Sequence, residues 1–259
     1  VELRKKLAKS GKVWAKQPAE IREGIKARLL EQITREESNL IRNGMARVIA
    51  EIARKELPHH SWPALLPWLF EHGEGGNALH RQTAVFVLYI VLETSVATET
   101  LKDSLPRIMS LFAKGLQDPE SLEVRITTVR ALGKVAENLE ADGHGDLAAM
   151  QSAVPQMVAV LQQCLDASHT EGARQIFDVF ENLCMLEAPV LSVHLAELIA
   201  FFVRNAANRD HEEDLRLMCL NSLVWTIQYK RSRVQSLGLA RPLLGQLMPI
   251  ATEEESDDV

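Results

Sequence analysis

The sequence predicts an all-α fold, a superhelical solenoid of stacked helix pairs, and three observations carry that prediction. Aromatic residues are only 5% of the 259, and Ala, Leu, Glu, Gln and Arg dominate segments whose apolar residues fall at helical spacing. An arginine near the start of an apolar helix recurs at Arg42, Arg81, Arg125, Arg174 and Arg216, at intervals of 39, 44, 49 and 42 residues, which suit a helix pair. Between these arginines a proline inside or opening an apolar helix recurs at Pro67, Pro106, Pro155, Pro189 and Pro242, in strict alternation with them. A proline that recurs at one place implies a first-turn position or a tolerated kink. One helix pair cannot bury its apolar face alone; stacked pairs share a continuous core, and the second helices line the concave side.

Taken in order, residues 1–17 read as the remnant of a first repeat. Arg4, Lys5, Lys6, Lys9, Lys12 and Lys16 face one acid, Glu2, with Leu3, Leu7 and Trp14 available for packing. Five repeats follow at 18–57, 58–98, 99–141, 142–186 and 187–230, then the first helix of a further repeat at 231–252 and an acidic loop at 253–259. The clearest second helix is Asn39–Glu56, where Ile41, Met45, Val48, Ile49 and Ile52 make an apolar stripe and Pro58 follows its end, with Arg42, Arg47, Glu51 and Arg54 elsewhere on the wheel. Glu71–Asn77, with Gly73, Gly75 and Gly76, reads as a flexible loop. Glu120–Glu140 is a second amphipathic stretch, carrying Val124, Val129, Leu132, Val135, Ala136 and Leu139 on one side, with Gly143 beyond it. The fourth pair is the least regular, because Asp178 and Glu181 stand where its siblings have Val129 and Leu132, while Ile176, Phe177, Phe180 and Leu183 keep a stripe.

A formal charge of −6 argues against a dedicated nucleic-acid binder and leaves basic proteins as partners. Three cysteines without a CxxC pair and no Asn-x-Ser/Thr sequon point to a reducing, intracellular compartment. No run reaches the ~20 apolar residues of a membrane span. With neither an initiator Met nor an apolar leader, the sequence reads as a piece of something longer.

Few residues invite chemistry. His59, His60, His72 and His80 lack the spacing that puts two imidazoles on one helix face, so a solvated loop is the default over a metal site. Cys164, Cys184 and Cys219 sit in apolar helical contexts and read as buried, inert thiols. Gly73-Glu74-Gly75-Gly76 lacks the Lys-Ser/Thr of a phosphate loop. Asp178 and Glu181, one turn apart, fit a cargo-facing or solvated role better than acid–base catalysis. Trp225, Gln228 and Tyr229 share one helix, and two readings stand for the rings: a binding surface in the groove, or core staples. Arg47, Glu51 and Arg54 make a charged stripe that either faces a partner or is an ordinary solvated face.

The run from Ile41 to Ala53, then Glu56-Leu57-Pro58 and Trp62-Pro63-Ala64-Leu65-Leu66-Pro67-Trp68-Leu69, resembles the second and third HEAT repeats of importin-β family nuclear transport receptors. Val124-Arg125 to Leu132-Gly133 resembles a following second helix, and Leu247 to Glu255 is similar to the acidic stretch after the sixth repeat in the importin-four branch. The resemblance implies a HEAT-repeat solenoid without enzymatic activity or cofactor that shuttles between cytoplasm and nucleus. Its implied partners are RanGTP, Phe-Gly nucleoporins and basic cargo such as histones or ribosomal proteins, with no direct nucleic acid and no membrane. It implies Ran contacts on Arg47, Glu51 and Arg54, and further on Arg81 and Arg125, and the intact receptor would release cargo on binding RanGTP. Two alternatives stand beside it: a HEAT scaffold of another class, such as a phosphatase regulatory subunit, and a metal-dependent hydrolase built on the His59 cluster.

Overall fold

The computed structural model describes residues 14–93, 101–142 and 147–252. Most of the residues expected to form the first-repeat remnant, and the acidic loop 253–259, lie outside them. All regular structure among the described residues is helical: α1 Ala19–Arg35, α2 Asn39–Glu56, α3 Leu65–Gly73, α4 Ala78–Leu92, α5 Leu105–Gly115, α6 Leu122–Asp142, α7 Leu147–Asp166, α8 Thr170–Met185, α9 Leu195–Ala207, α10 Glu213–Tyr229, α11 Arg231–Ser236 and α12 Ala240–Ala251. The chain divides into two compact units, Val1–Gly145 and Asp146–Val259.

In the first unit α1 pairs with α2, α3 with α4 and α5 with α6, while α4 packs between α2 and α6. That position explains the composition of α4. A helix covered on several sides is apolar nearly all round, and Thr83 to Val85 and Val87 to Leu92 are all buried. The α5/α6 contact is close: a Cβ on Gly115 would stand 2.5 Å from Thr128 Oγ1, so only glycine fits there. In the second unit α7 pairs with α8 and α9 with α10, α8 stacks on α10, and α12 lies against α9. Ile176, Phe177, Phe180 and Leu183 of α8 are all buried, and Phe177 and Phe180 pack on Phe202 at ring separations of 6.1 and 6.4 Å.

The structure corrects three local readings. Ile41, assigned to the apolar stripe of α2, is 52% exposed, whereas Arg42 points inward and is buried. The reason is the turn before the helix: Arg42 donates to the carbonyls of Glu36 and Glu37 and to Asn39 Oδ1, so the guanidinium satisfies backbone acceptors that the chain reversal would strand. The second amphipathic helix starts at Leu122 rather than Glu120, because Asp118 Oδ1 accepts from the N–H groups of Glu120 and Ser121, and Ser121 Oγ accepts from Val124 N–H. The Glu71–Asn77 loop is shorter than expected and held at both ends. Helix α3 runs to Gly73, Asn77 caps α4 through bonds from Leu79 and His80 N–H, and Arg81 donates to Gly75 O.

The prolines take the two kinds of place expected, and one lies outside a helix. Pro67, Pro106 and Pro242 stand within the first turn or so of α3, α5 and α12, Pro155 is interior to α7, and Pro189 precedes α9. Pro155 has no N–H for the carbonyl of Gln151, and His194 Nε2 takes that acceptor instead at 3.0 Å. Gln151 Nε2 in turn donates to Pro189 O. His194→Ala should therefore cost about 1 kcal/mol in denaturant unfolding, and clearly less in a Pro155→Ala background, where the restored amide reclaims Gln151 O. Equal costs in both backgrounds would contradict this account.

Candidate functional site

Most of the recurring arginines act within the turns that join each helix pair. Arg42 holds the α1–α2 turn, Arg125 Nη1 donates to Asp118 O in the α5–α6 turn, and Arg216 Nε donates to Ala206 O at the end of α9. Arg174 is exposed and departs from the pattern. Arg81 does more. Besides Gly75 O it grips Asp118 through Nε at 2.6 Å and Nη2 at 3.1 Å, and reaches Glu120 at 2.9 Å, so it ties one turn to the next. Asp118 is 3% exposed. Burial alone would push its carboxyl up, but Arg81 and the two N–H donors outweigh burial and hold it below the ordinary range. Lys114 and Glu74 add an exposed link between the same turns. Arg81 and Arg125 thus serve as structural links.

Arg47, Glu51 and Arg54 stay half-buried on the outward face of α2. Arg54 pairs with Glu51 at 3.1 Å and Lys55 lies 3.8 Å from the same carboxylate, while Arg47 makes no ion pair among the described residues. Further along the same unit, Arg130 sits over the Tyr89 ring at 4.3 Å and donates to its hydroxyl, and Lys134 pairs with Glu137. Glu51, Glu74, Asp118, Glu120 and Glu137 thus each have a basic partner.

The second unit differs. Asp178 is exposed and Glu181 half-buried on α8, and neither forms an ion pair among the described residues. Glu181 accepts from Ser222 Oγ at 3.3 Å, which places it against α10. Burial pushes its carboxyl up, and the like charge of Asp178 adds to that over the opposing Ser222 bond. One turn beyond Ser222, Trp225 and Tyr229 stack with centroids 5.3 Å apart and planes 10° apart. Trp225 is half-buried, Tyr229 is 44% exposed and Gln228 is exposed, so this pair is not a core staple. Lys230 is turned away to cap α8 by donating to Leu186 O.

The remaining candidates are the histidines and the thiols. Among the described residues no three His, Cys, Asp or Glu gather as a metal would require, and no helix is long and apolar enough to cross a membrane. His59 and His60 are exposed, whereas His72 stacks on Trp68 at 4.4 Å and neighbours His80. All three thiols are buried; burial raises Cys184 and pushes Cys219 up to about 12. Sequence reasoning missed Asp118 and a cluster around Glu56. The carboxylate of Glu56 accepts from Trp14 Nε1 at 2.6 Å, Arg22 at 3.1 Å and Lys26 at 3.2 Å, and Lys26 Nζ also donates to Ser61 O. Asp118-Pro119, three residues ahead of Ser121, was a readable turn signal for Asp118; nothing local marked Lys26, at 1% exposure, as buried.

Comparison with known proteins places these repeats. Residues 37–201 match the family described as IPO5-like, TPR repeats. The chain is 32% identical over 248 residues to the probable importin subunit beta-4 of Schizosaccharomyces pombe, covering 96% of this chain and 23% of that protein. It is 24% identical over 241 residues to human importin-4, covering 93% and 22%. The crystal structure of Kap121p superposes with a TM-score of 0.74 over 90% of this chain and 22% of that one, at 23% identity, and so shares the HEAT-solenoid fold. The chain spans about a quarter of the length of these relatives. It belongs to the importin-β family, in the importin-4 branch.

Proposed function

We propose that this chain is a partner-binding stretch of a nuclear import receptor, shuttling between cytoplasm and nucleus, that engages RanGTP, basic cargo and Phe-Gly nucleoporins without catalysing a reaction. The observation that carries the reading is the match of residues 37–201 to the family, together with half-buried and exposed polar and aromatic side chains on α2 and α10. Kap121p has been crystallised bound to Pho4p and to Nup53p, which supports cargo and nucleoporin as the classes of partner. Membership of the importin-β family favours this reading over the phosphatase-scaffold alternative.

In this proposal Arg47, Glu51 and Arg54 of α2 meet RanGTP directly. Arg81 and Arg125 act as positioning residues that hold the turns of α4 and α6. Asp178, Glu181, Trp225, Gln228 and Tyr229 face cargo, among which histones and ribosomal proteins have the matching basic charge. Each pair touches only its neighbours, so small rotations between pairs add up, and RanGTP and cargo couple by preferring different arrangements.

The test is binding of the chain to Ran loaded with a non-hydrolysable GTP analogue, with GDP-loaded Ran in parallel. The expected result is binding to the GTP form alone, weakened roughly tenfold in an Arg47→Glu, Arg54→Glu variant. Equal binding to both forms, or none to either, would contradict the proposal.

A further inference from the structure

Resting on the reading that the outward face of α8 and α10 takes a basic partner, we propose that Asp178, Glu181 and the Trp225–Tyr229 stack form a site for the guanidinium group of an arginine in an extended protein segment. Three observations converge. First, Trp225 and Tyr229 lie nearly parallel, each spending one ring face on the other, and Tyr229 remains 44% exposed. An exposed, pre-stacked ring is a ready platform for a planar cation, and guanidinium stacks on aromatic faces better than an ammonium does.

Second, the carboxylates beside the rings have no counter-ion among the described residues. Elsewhere Glu51, Glu56, Asp118 and Glu137 each have a basic partner within 3.2 Å. Asp178 and Glu181 have none among the described residues, although Arg174 stands one turn before Asp178 and Lys230 closes the far end of α8. Among the described residues Arg174 forms no ion pair, and Lys230 donates to Leu186 O. Two like charges with Glu181 partly desolvated form an electrostatic deficit that a ligand cation would relieve.

Third, the two groups adjoin. Ser222 touches Glu181 and precedes Trp225 by three residues, and Cys184 meets Thr226 at 3.5 Å, so the carboxylate row of α8 runs alongside the ring-bearing row of α10. A guanidinium lying on the exposed ring face can direct its forked N–H donors to Glu181 or Asp178, whereas an ammonium supplies charge without the stack.

The experiment uses the 259-residue chain and fluorescence polarisation with labelled twelve-residue peptides in which Arg alternates with Ser and Gly, against peptides with Lys or uncharged citrulline at the same positions. The arginine peptide should bind several-fold more tightly than the lysine peptide, and the citrulline peptide should not bind measurably. Asp178→Asn with Glu181→Gln should weaken the arginine peptide about tenfold, and Tyr229→Ala about threefold, while Tyr229→Phe matches the parent. Glu213→Gln with Asp214→Asn, which removes two exposed charges from the first turn of α10, should leave affinity unchanged. Circular dichroism checks that each variant folds. Equal affinity for Arg and Lys peptides, retained citrulline binding, or equal losses in the Glu213/Asp214 control would each overturn the assignment. RanGTP binding by the same preparation separates the failures: retained Ran binding confines a failure to this site, and its loss takes the import reading down as well.

Discussion

Asp118→Ala should destabilise the first unit by about 3–5 kcal/mol, the largest effect expected of a single substitution outside the apolar core. The aspartate is 3% exposed and answers five donors: two nitrogens of Arg81 and the N–H groups of Glu120 and Ser121 at its carboxylate, and Arg125 at its main-chain oxygen. Truncation leaves Arg81 beside a vacated acceptor with only the exposed Glu120 to neutralise it. It also strips the turn before α6 of the carboxylate that accepts from Glu120 and Ser121 N–H. Asp118→Asn keeps an acceptor oxygen but loses the charge, and should cost about 1–3 kcal/mol. In thermal unfolding the first unit's transition should drop by about 10 °C for the alanine variant while that of the second unit stays in place. A loss under about 1 kcal/mol would mean that the turn-to-turn link is ornamental.

Glu56→Gln should cost about 3 kcal/mol or more at neutral pH and flatten the acid limb of the first unit's stability. Glu56 gathers Trp14, Arg22 and Lys26 around one carboxylate, and Lys26 itself is 1% exposed. Burial would raise the carboxyl of Glu56, yet the bonds from Trp14 and Lys26 and the charges of Lys26 and Arg22 leave it lowered. The sign of the pH effect follows. A carboxyl whose folded value lies below its unfolded value of about 4 contributes stability at every pH above the unfolded value. That contribution is lost as pH falls through the folded value. Asp118 is shifted the same way, so stability should hold from neutral pH to about 5 and decline below 4. Urea midpoints of parent and Glu56→Gln between pH 3 and 7 should converge toward the acid end. Parallel curves would show that Glu56 is not the titrating group.

The helical class and the span of α2 were legible in the sequence, because Asn39–Glu56 combines a helical apolar repeat with Pro58 just beyond its end. Recurrence of the arginines was legible too, but its meaning was not. Arg81 finds Asp118 37 residues away, and a periodicity cannot tell a side chain that grips the next turn from one that awaits a partner. The direction of Arg42 was hidden for a related reason: helical spacing puts Ile41 and Arg42 side by side, and only the stranded carbonyls of Glu36 and Glu37 turn the arginine inward. Four-residue spacing showed that Trp225 and Tyr229 share a face, but which neighbour that face meets depends on α8. Lys26 was out of reach altogether, since a lysine in the polar helix α1 carries no local sign of burial.

Hydrogen exchange of the chain alone, with GTP-loaded Ran and with GDP-loaded Ran tests the central claim that the outward faces of the second helices are the partner-binding surface. Amides of α2 between Arg47 and Arg54 should gain protection with the GTP form and none with the GDP form. Protection confined to α1, α3 and α5, or no change with either form, would contradict the account.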